Sequence, residues 1–178
     1  MERPRLRPDR CFPAYAYLPG RQPHPVRDPL GHSYRMQPEP AVASLASEDF
    51  GWGQDLFNHG YYWEAHEAWE GIWQVAETNS PLRSLLKALI LLAACGVKIR
   101  ERKRAPAIRH AGRAGALLRD VTVAQHSAFS NRLGMPPASL ARLAEATAAA
   151  MPALKVTEEG QPEPVFDFIL GKAMTAQN

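Results

Sequence analysis

The sequence predicts an all-α protein, a small antiparallel bundle of about four to five helices with an extended Pro/Arg-rich N-terminal arm. Two observations lead to this prediction. From residue 43 onward, apolar residues recur at intervals of three and four, the spacing of one helix face. Nine of the 16 prolines fall in the first 40 residues, where they interrupt any helix. We therefore divide the chain into an extended, partly ordered arm (1–42), a helical bundle (43–150) and an extended C-terminal tail (151–178).

Capping residues and glycine set the limits of the first two helices. Ser47 is expected to cap the first helix, and Gly60 stands where glycine commonly follows a helix. The second helix starts near Tyr61. Its apolar residues are spaced three and four apart, which predicts one buried stripe formed by Tyr62, Ala65, Trp69 and Ile72 or Trp73.

The third helix is the most apolar segment of the chain. Asn79 or Ser80 is expected to cap it, with Pro81 in its first turn. Because apolar residues cover most of its circumference, we expect it to be the central helix of the bundle. A fourth helix is predicted to begin at Pro106, and a fifth to begin at residue 137 or 139 and end near residue 150.

The charge distribution and composition of the chain indicate which classes of protein are expected. Residues 1–36 hold seven arginines against three acids, a net charge of +4, and the remainder carries −1. The helical part is therefore close to neutral, which weakens a general argument for nucleic-acid binding. Two cysteines are too few for a disulfide framework. The longest apolar run is about half of a bilayer span, so we expect a soluble cytoplasmic protein without a membrane partner.

The stretch "AHEAWE" in the second helix suggests a metal site. A zinc-protease helix requires His-Glu-x-x-His, and Glu70 stands where the second histidine belongs. A di-iron bundle requires Glu-x-x-His, and Trp63 stands three residues before His66. Neither established motif is present. A looser arrangement remains, since His66 and Glu70 lie one helical turn apart and Glu67 is adjacent to His66.

Three interpretations of this histidine–glutamate group stay open at the level of sequence. The group forms either a structural hydrogen-bond network, part of a small-ligand pocket, or a divalent-metal site. A divalent metal is the one cofactor that these residues suggest. The metal ligands would be His66 and Glu70. The candidate pocket residues are Tyr62, Trp63, His66, Glu67, Glu70, Trp73, Arg83 and Lys98.

The arm offers a second group of candidates in "PHPVRDPLGHSY", namely His24, Arg27, Asp28 and His32. The two histidines and the aspartate are four residues apart, but the intervening prolines exclude a helix. A loop could bring them to a metal or over His66. The alternative is a set of turn hydrogen bonds from Asp28 and His32 to nearby backbone.

Three functions follow from these groups. The absence of a complete catalytic motif favours a binding or interaction module, with a protein or small-molecule partner or a homodimer formed through the apolar helix. An acid–base or metal-dependent enzyme would use His66, Glu67 and Glu70, together with the arm histidines and Asp28. RNA or phosphate binding would use the basic arm and residues 98–119, where eight basic residues surround one acid.

The run "LFNHGYYWEAHEAWEGIW", followed by an apolar helix, resembles the domain of unknown function 309 family. The matching positions are Leu56, Phe57, Gly60, Tyr62, Glu64, His66, Glu67, Glu70 and Trp73. With the arm segment "YLPGRQPHPVRDPLGHSY", the resemblance covers roughly residues 15–120. It implies a small antiparallel helical bundle and brings no established activity. It also implies a histidine or glutamine near the position of Lys98, so the charge expected beside the His–Glu pair differs here.

Overall fold

The computed structural model of the protein describes residues 3–171, and the regular secondary structure within that range is all α-helix. Helices α1 and α2 form a hairpin at residues Glu48–Asn58 and Tyr62–Val75, and the long helix α3 follows at Pro81–Arg100. The remaining three helices are α4 (Arg104–Arg119), α5 (Val123–Leu133) and α6 (Pro137–Ala150). Short connections place consecutive helices antiparallel. No helix in the described range is long and apolar enough to cross a membrane.

The helix ends confirm the predicted caps. The hydroxyl of Ser47 accepts a hydrogen bond from the Phe50 amide, and that of Ser80 accepts one from the Arg83 amide. Pro81 occupies the first turn of α3. Gly60 has φ +89°, a left-handed conformation that glycine adopts without strain after a helix end.

Helix α3 is the centre of the bundle, as its apolar circumference predicts. It packs between α2 and α4, while α1 packs on α2 and α6 packs on α4. A fully buried layer of leucine and isoleucine side chains from α3 forms most of the contact: Leu86, Leu89, Leu92 and Ile99. Gly96 of α3 allows the ring of Tyr62 to approach the helix backbone closely.

Within residues 3–171 the chain forms six helices, slightly more than the four to five predicted. The unpredicted helix is α5, whose buried residues are only Phe129 and Leu133. Since the rest of α5 is polar or exposed, no apolar stripe marks it in the sequence. Helix α4 begins at Arg104 rather than at Pro106. Proline is tolerated in that first turn because its missing N–H would have no acceptor within the helix.

The beginning of the arm is tied to α1 through one buried carboxylate. The side chain of Asp55 is fully buried and accepts hydrogen bonds from the amides of Leu6 and Arg7 at 2.8 and 2.9 Å. Its Oδ2 atom also accepts from the Arg5 Nε at 2.9 Å. The Arg5 guanidinium in turn lies 4.0 Å over the ring of Phe12. The arm therefore contacts the bundle through defined partners.

The described part of the tail, residues 151–171, also packs on the bundle. Its buried residues Phe166 and Leu170 face α1, where Asn58 exchanges two hydrogen bonds of 2.8 Å with the backbone of Leu170. The Tyr62 hydroxyl accepts a 2.7 Å hydrogen bond from the Val165 amide. The division of the chain into arm, bundle and tail stays a prediction, and its residues 1–2 and 172–178 lie outside the described range.

Candidate functional site

Helix α2 has two faces of opposite character. Its inner face consists of four buried residues at the predicted spacing: Tyr62, Ala65, Trp69 and Ile72. The outer face carries His66, Glu67 and Glu70, whose side chains are 28%, 43% and 37% exposed. The group is therefore partly open to solvent and is not sealed between helices.

The three outer side chains form a compact cluster, which we call the α2 cluster (His66, Glu67 and Glu70). The Nδ1 atom of His66 lies 3.3 Å from Glu67 Oε1, and its Nε2 atom lies 3.5 Å from Glu70 Oε2. One ligand atom from each residue comes within 4.8 Å of the other two. The Nδ1 atom of His66 is buried and has no hydrogen-bond partner among the described residues. The two glutamates place negative charge on both sides of the ring.

Trp63 connects the α2 cluster with the arm. Its ring centroid lies 6.4 Å from that of His66 and 5.5 Å from that of His24. Tyr17 of the arm meets the same indole edge-on at 5.0 Å. The Nδ1 atom of His24 accepts long hydrogen bonds from the amides of residues 26 and 27, which fix its ring in the turn. An aromatic group from the arm thus lies beside the polar cluster.

Glu64 is the residue that sequence reasoning missed as a site candidate. Its Oε1 atom accepts a 2.9 Å hydrogen bond from the Tyr17 amide and lies 3.0 Å from His32 Nε2. The side chains of His32 and Glu64 are only 9% and 5% exposed. In the sequence, Glu64 lies in the run that resembles the domain of unknown function 309 family, directly before the buried Ala65. A carboxylate beside a buried stripe needs a hydrogen-bond or ionic partner. This position could have identified Glu64 as a candidate.

Three of the arm candidates, His32, Asp28 and Arg27, do not contact the α2 cluster. His32 pairs with Glu64, and its Nδ1 atom lies 2.9 Å from the Ser33 hydroxyl. Asp28 accepts a 2.9 Å hydrogen bond from the Leu30 amide, a turn contact, and Arg27 is exposed. Within residues 3–171, the histidine and acidic side chains close enough to share a metal ion are those of the α2 cluster.

Replacing His32 by alanine is expected to lower the free energy of unfolding by about 1 to 2 kcal/mol, because Glu64 would be left buried without its imidazole partner. Amide hydrogen exchange should increase in residues 15–34 and stay unchanged in α3. The matched control is His126→Ala in α5, where the histidine is exposed and should contribute little. Equal stability and exchange in the two variants would show that the His32–Glu64 pair does not hold the arm.

The other pocket candidates have structural partners. Tyr62 lies in the core, 3% exposed. Arg83 does not reach the glutamates of α2; its Nη1 atom donates to the carbonyls of Trp73 and Ala76, both at 2.8 Å, and its guanidinium lies 4.0 Å over the Trp73 ring. It therefore caps the C-terminal end of α2. Lys98 forms an ion pair of 2.6 Å with Glu101.

Many of the basic residues proposed for RNA binding are already engaged. Lys98 and Lys103 both pair with Glu101, whose pKa these hydrogen bonds lower against the opposing effect of its burial. Arg100 is 6% exposed and donates to the carbonyl of Gln161. Basic side chains that remain exposed on α4 are Arg104, Arg109 and Arg113. The RNA interpretation stays a prediction.

Comparison with known proteins gives one match. Residues 50–110 match the model of the family described as domain of unknown function (DUF309). This segment runs from α1 to α4 and contains the whole α2 cluster, whereas the entire arm, α5, α6 and the tail lie outside it. Neither the curated proteins nor the solved structures yield a significant match. Over residues 50–110, which are less than half of the chain, the sequence is therefore similar to the domain of unknown function 309 family.

Proposed function

We propose that the protein is a binding module whose ligand is a divalent cation held by the α2 cluster. The observation that carries the proposal is the convergence of one ring nitrogen of His66 with one oxygen from each of Glu67 and Glu70, all within 4.8 Å of one another. An imidazole and carboxylates together form the donor set that Zn²⁺ and similar ions accept.

The helix supplies the spacing for this site. Residues four apart lie one above the other on a helix, so His66 and Glu70 present ligand atoms to the same point above the surface. Glu67 adds a third ligand atom, a second carboxylate oxygen, from the next position around the helix. Three protein ligands leave coordination positions for water or for a group from a partner. Each of the three side chains is partly exposed to solvent, although the Nδ1 atom of His66 is itself buried.

Titration of the protein with Zn²⁺, followed by isothermal calorimetry at pH 7.5, is expected to show one saturable site per chain. His66→Ala and Glu70→Gln should each weaken binding by about tenfold or more, because each variant removes one ligand of the cation. Both variants should keep an unfolding temperature close to that of the wild type, since His66 and Glu70 lie on the partly exposed face of α2.

The control is Glu77→Gln, which removes an exposed carboxylate just beyond the end of α2. It should leave the affinity for Zn²⁺ unchanged. The proposal is wrong if the wild-type protein shows no saturable binding, or if Glu77→Gln weakens binding as much as Glu70→Gln does. In the first case the α2 cluster is an ordinary surface group of polar side chains.

A further inference from the structure

A shallow pocket lies between the segment that precedes α1 and the helix α5. It has a volume of about 310 Å³ and is lined by Leu45, Ala46, Ala128, Asn131 and Arg132. This volume is at the small end of the range for ligand sites in proteins. Three lining residues are apolar and two carry hydrogen-bonding groups, a composition typical of a site that orients a small amphipathic molecule.

Arg132 is the unusual member of this lining. Its Nε atom is buried and has no hydrogen-bond acceptor among the described residues, and no carboxylate in that range lies within ion-pair distance of its guanidinium. The guanidinium lies 5.2 Å over the ring of Phe50. Burial lowers the pKa of Arg132, which reflects the loss of water around the charge. A partly buried cation of this kind gains stability from an anionic partner.

The backbone around Arg132 is held in place by contacts to other parts of the fold. The Arg132 carbonyl accepts a 2.8 Å hydrogen bond from the Gln54 side chain in α1. The next residue, Leu133, accepts a 2.9 Å hydrogen bond from the Gly171 amide. Gly134 then ends α5 with φ +77°. These contacts fix the direction of the last turn of α5, which carries Arg132.

A second arginine lies close by but already has its counter-charges. The methylene groups of Arg7 and the Nη2 atom of Arg132 both approach Gly51 of α1. Arg7 forms ion pairs with Asp9 at 2.6 Å and with Glu48 at 3.2 Å. Arg132 is therefore the cation at this place that lacks an acidic partner within the described residues.

We propose that this pocket binds a small organic carboxylate, whose charged end pairs with Arg132 and Asn131 while its apolar body contacts Leu45, Ala46 and Ala128. A planar guanidinium matches the two oxygens of a carboxylate, and such charge-assisted hydrogen bonds are among the stronger polar contacts. This site is independent of the α2 cluster. It uses other residues and takes a ligand of opposite charge.

The test uses benzoate as the probe, titrated into the full ¹⁵N-labelled chain at pH 7 and followed by heteronuclear NMR. We expect saturable shifts of the Asn131 and Arg132 signals and of the amides of residues 45, 46 and 128. The neutral analogue benzamide should bind about tenfold more weakly or worse, because it cannot form the ion pair. Equal affinity for the two probes would overturn the proposal.

Two variants test the residues directly. Arg132→Gln should weaken benzoate binding by about tenfold or more, and the exposed arginine variant Arg109→Gln on α4 should leave it unchanged. Ala128→Phe fills the mouth of the pocket from an exposed position and should abolish the shifts without unfolding the protein. Unchanged affinity in Arg132→Gln or Ala128→Phe, or shifts that grow linearly without saturation, would show that no specific carboxylate site exists.

Discussion

Replacing Asp55 by alanine is expected to destabilise the protein by about 3 to 5 kcal/mol, the range measured when one partner of a buried ion pair is removed. Three donors converge on this carboxylate: the amides of Leu6 and Arg7 and the Nε atom of Arg5. In the variant, all three lose their acceptor while residues 3–10 stay packed against α1. Urea unfolding followed by circular dichroism measures the change in free energy.

Asp49→Ala provides the matched control on the same helix. The Asp49 side chain is 35% exposed and pairs with Arg10 at 3.1 Å, so its loss should cost about 1 kcal/mol or less. Hydrogen exchange should then separate the two variants. Asp55→Ala should release the amides of residues 6 and 7, and Asp49→Ala should not. A change in stability of similar size in both variants would contradict the role assigned to Asp55.

Replacing Gly96 by alanine is expected to cost about 3 kcal/mol, the upper end of the usual range for overpacking a core. A Cβ atom at this position would lie 2.5 Å from the ring of Tyr62, so either the ring or α3 must move. Movement of Tyr62 would also displace its hydroxyl from the Val165 amide and loosen the tail. The free energy of unfolding in urea measures the loss, and proteolysis near residue 165 reports on the tail.

Gly71→Ala is the control for this prediction and should act in the opposite direction. Gly71 also lies within a helix, but a Cβ atom there meets nothing within 4 Å. Since alanine favours the helix over glycine by about 1 kcal/mol, Gly71→Ala should stabilise the protein. If Gly96→Ala also stabilises it, the close contact between α2 and α3 is absent in solution.

Local features of the sequence were enough to predict most of the helices. The interval of three and four between apolar residues identified the inner face of α2, and Ser47 and Ser80 identified two helix starts. These features depend on neighbours within one or two turns, so their meaning does not change with the rest of the fold. The same spacing placed His66 and Glu70 on one side of α2, and they do lie together in the α2 cluster.

The tertiary structure decided the partners of the polar residues. Nothing in the sequence paired Asp55 with Arg5, His32 with Glu64, or Arg83 with the carbonyl end of α2. The first two contacts depend on where the proline-rich arm runs over the bundle, and the arm has no periodicity that predicts its course. The third depends on how one helix packs on the next. The helix α5 was missed for a related reason, because two buried side chains are too few to mark a helix face. Short-range spacing therefore determined five of the six described helices and the α2 cluster, whereas long-range packing determined which charges are buried, paired or left without a partner.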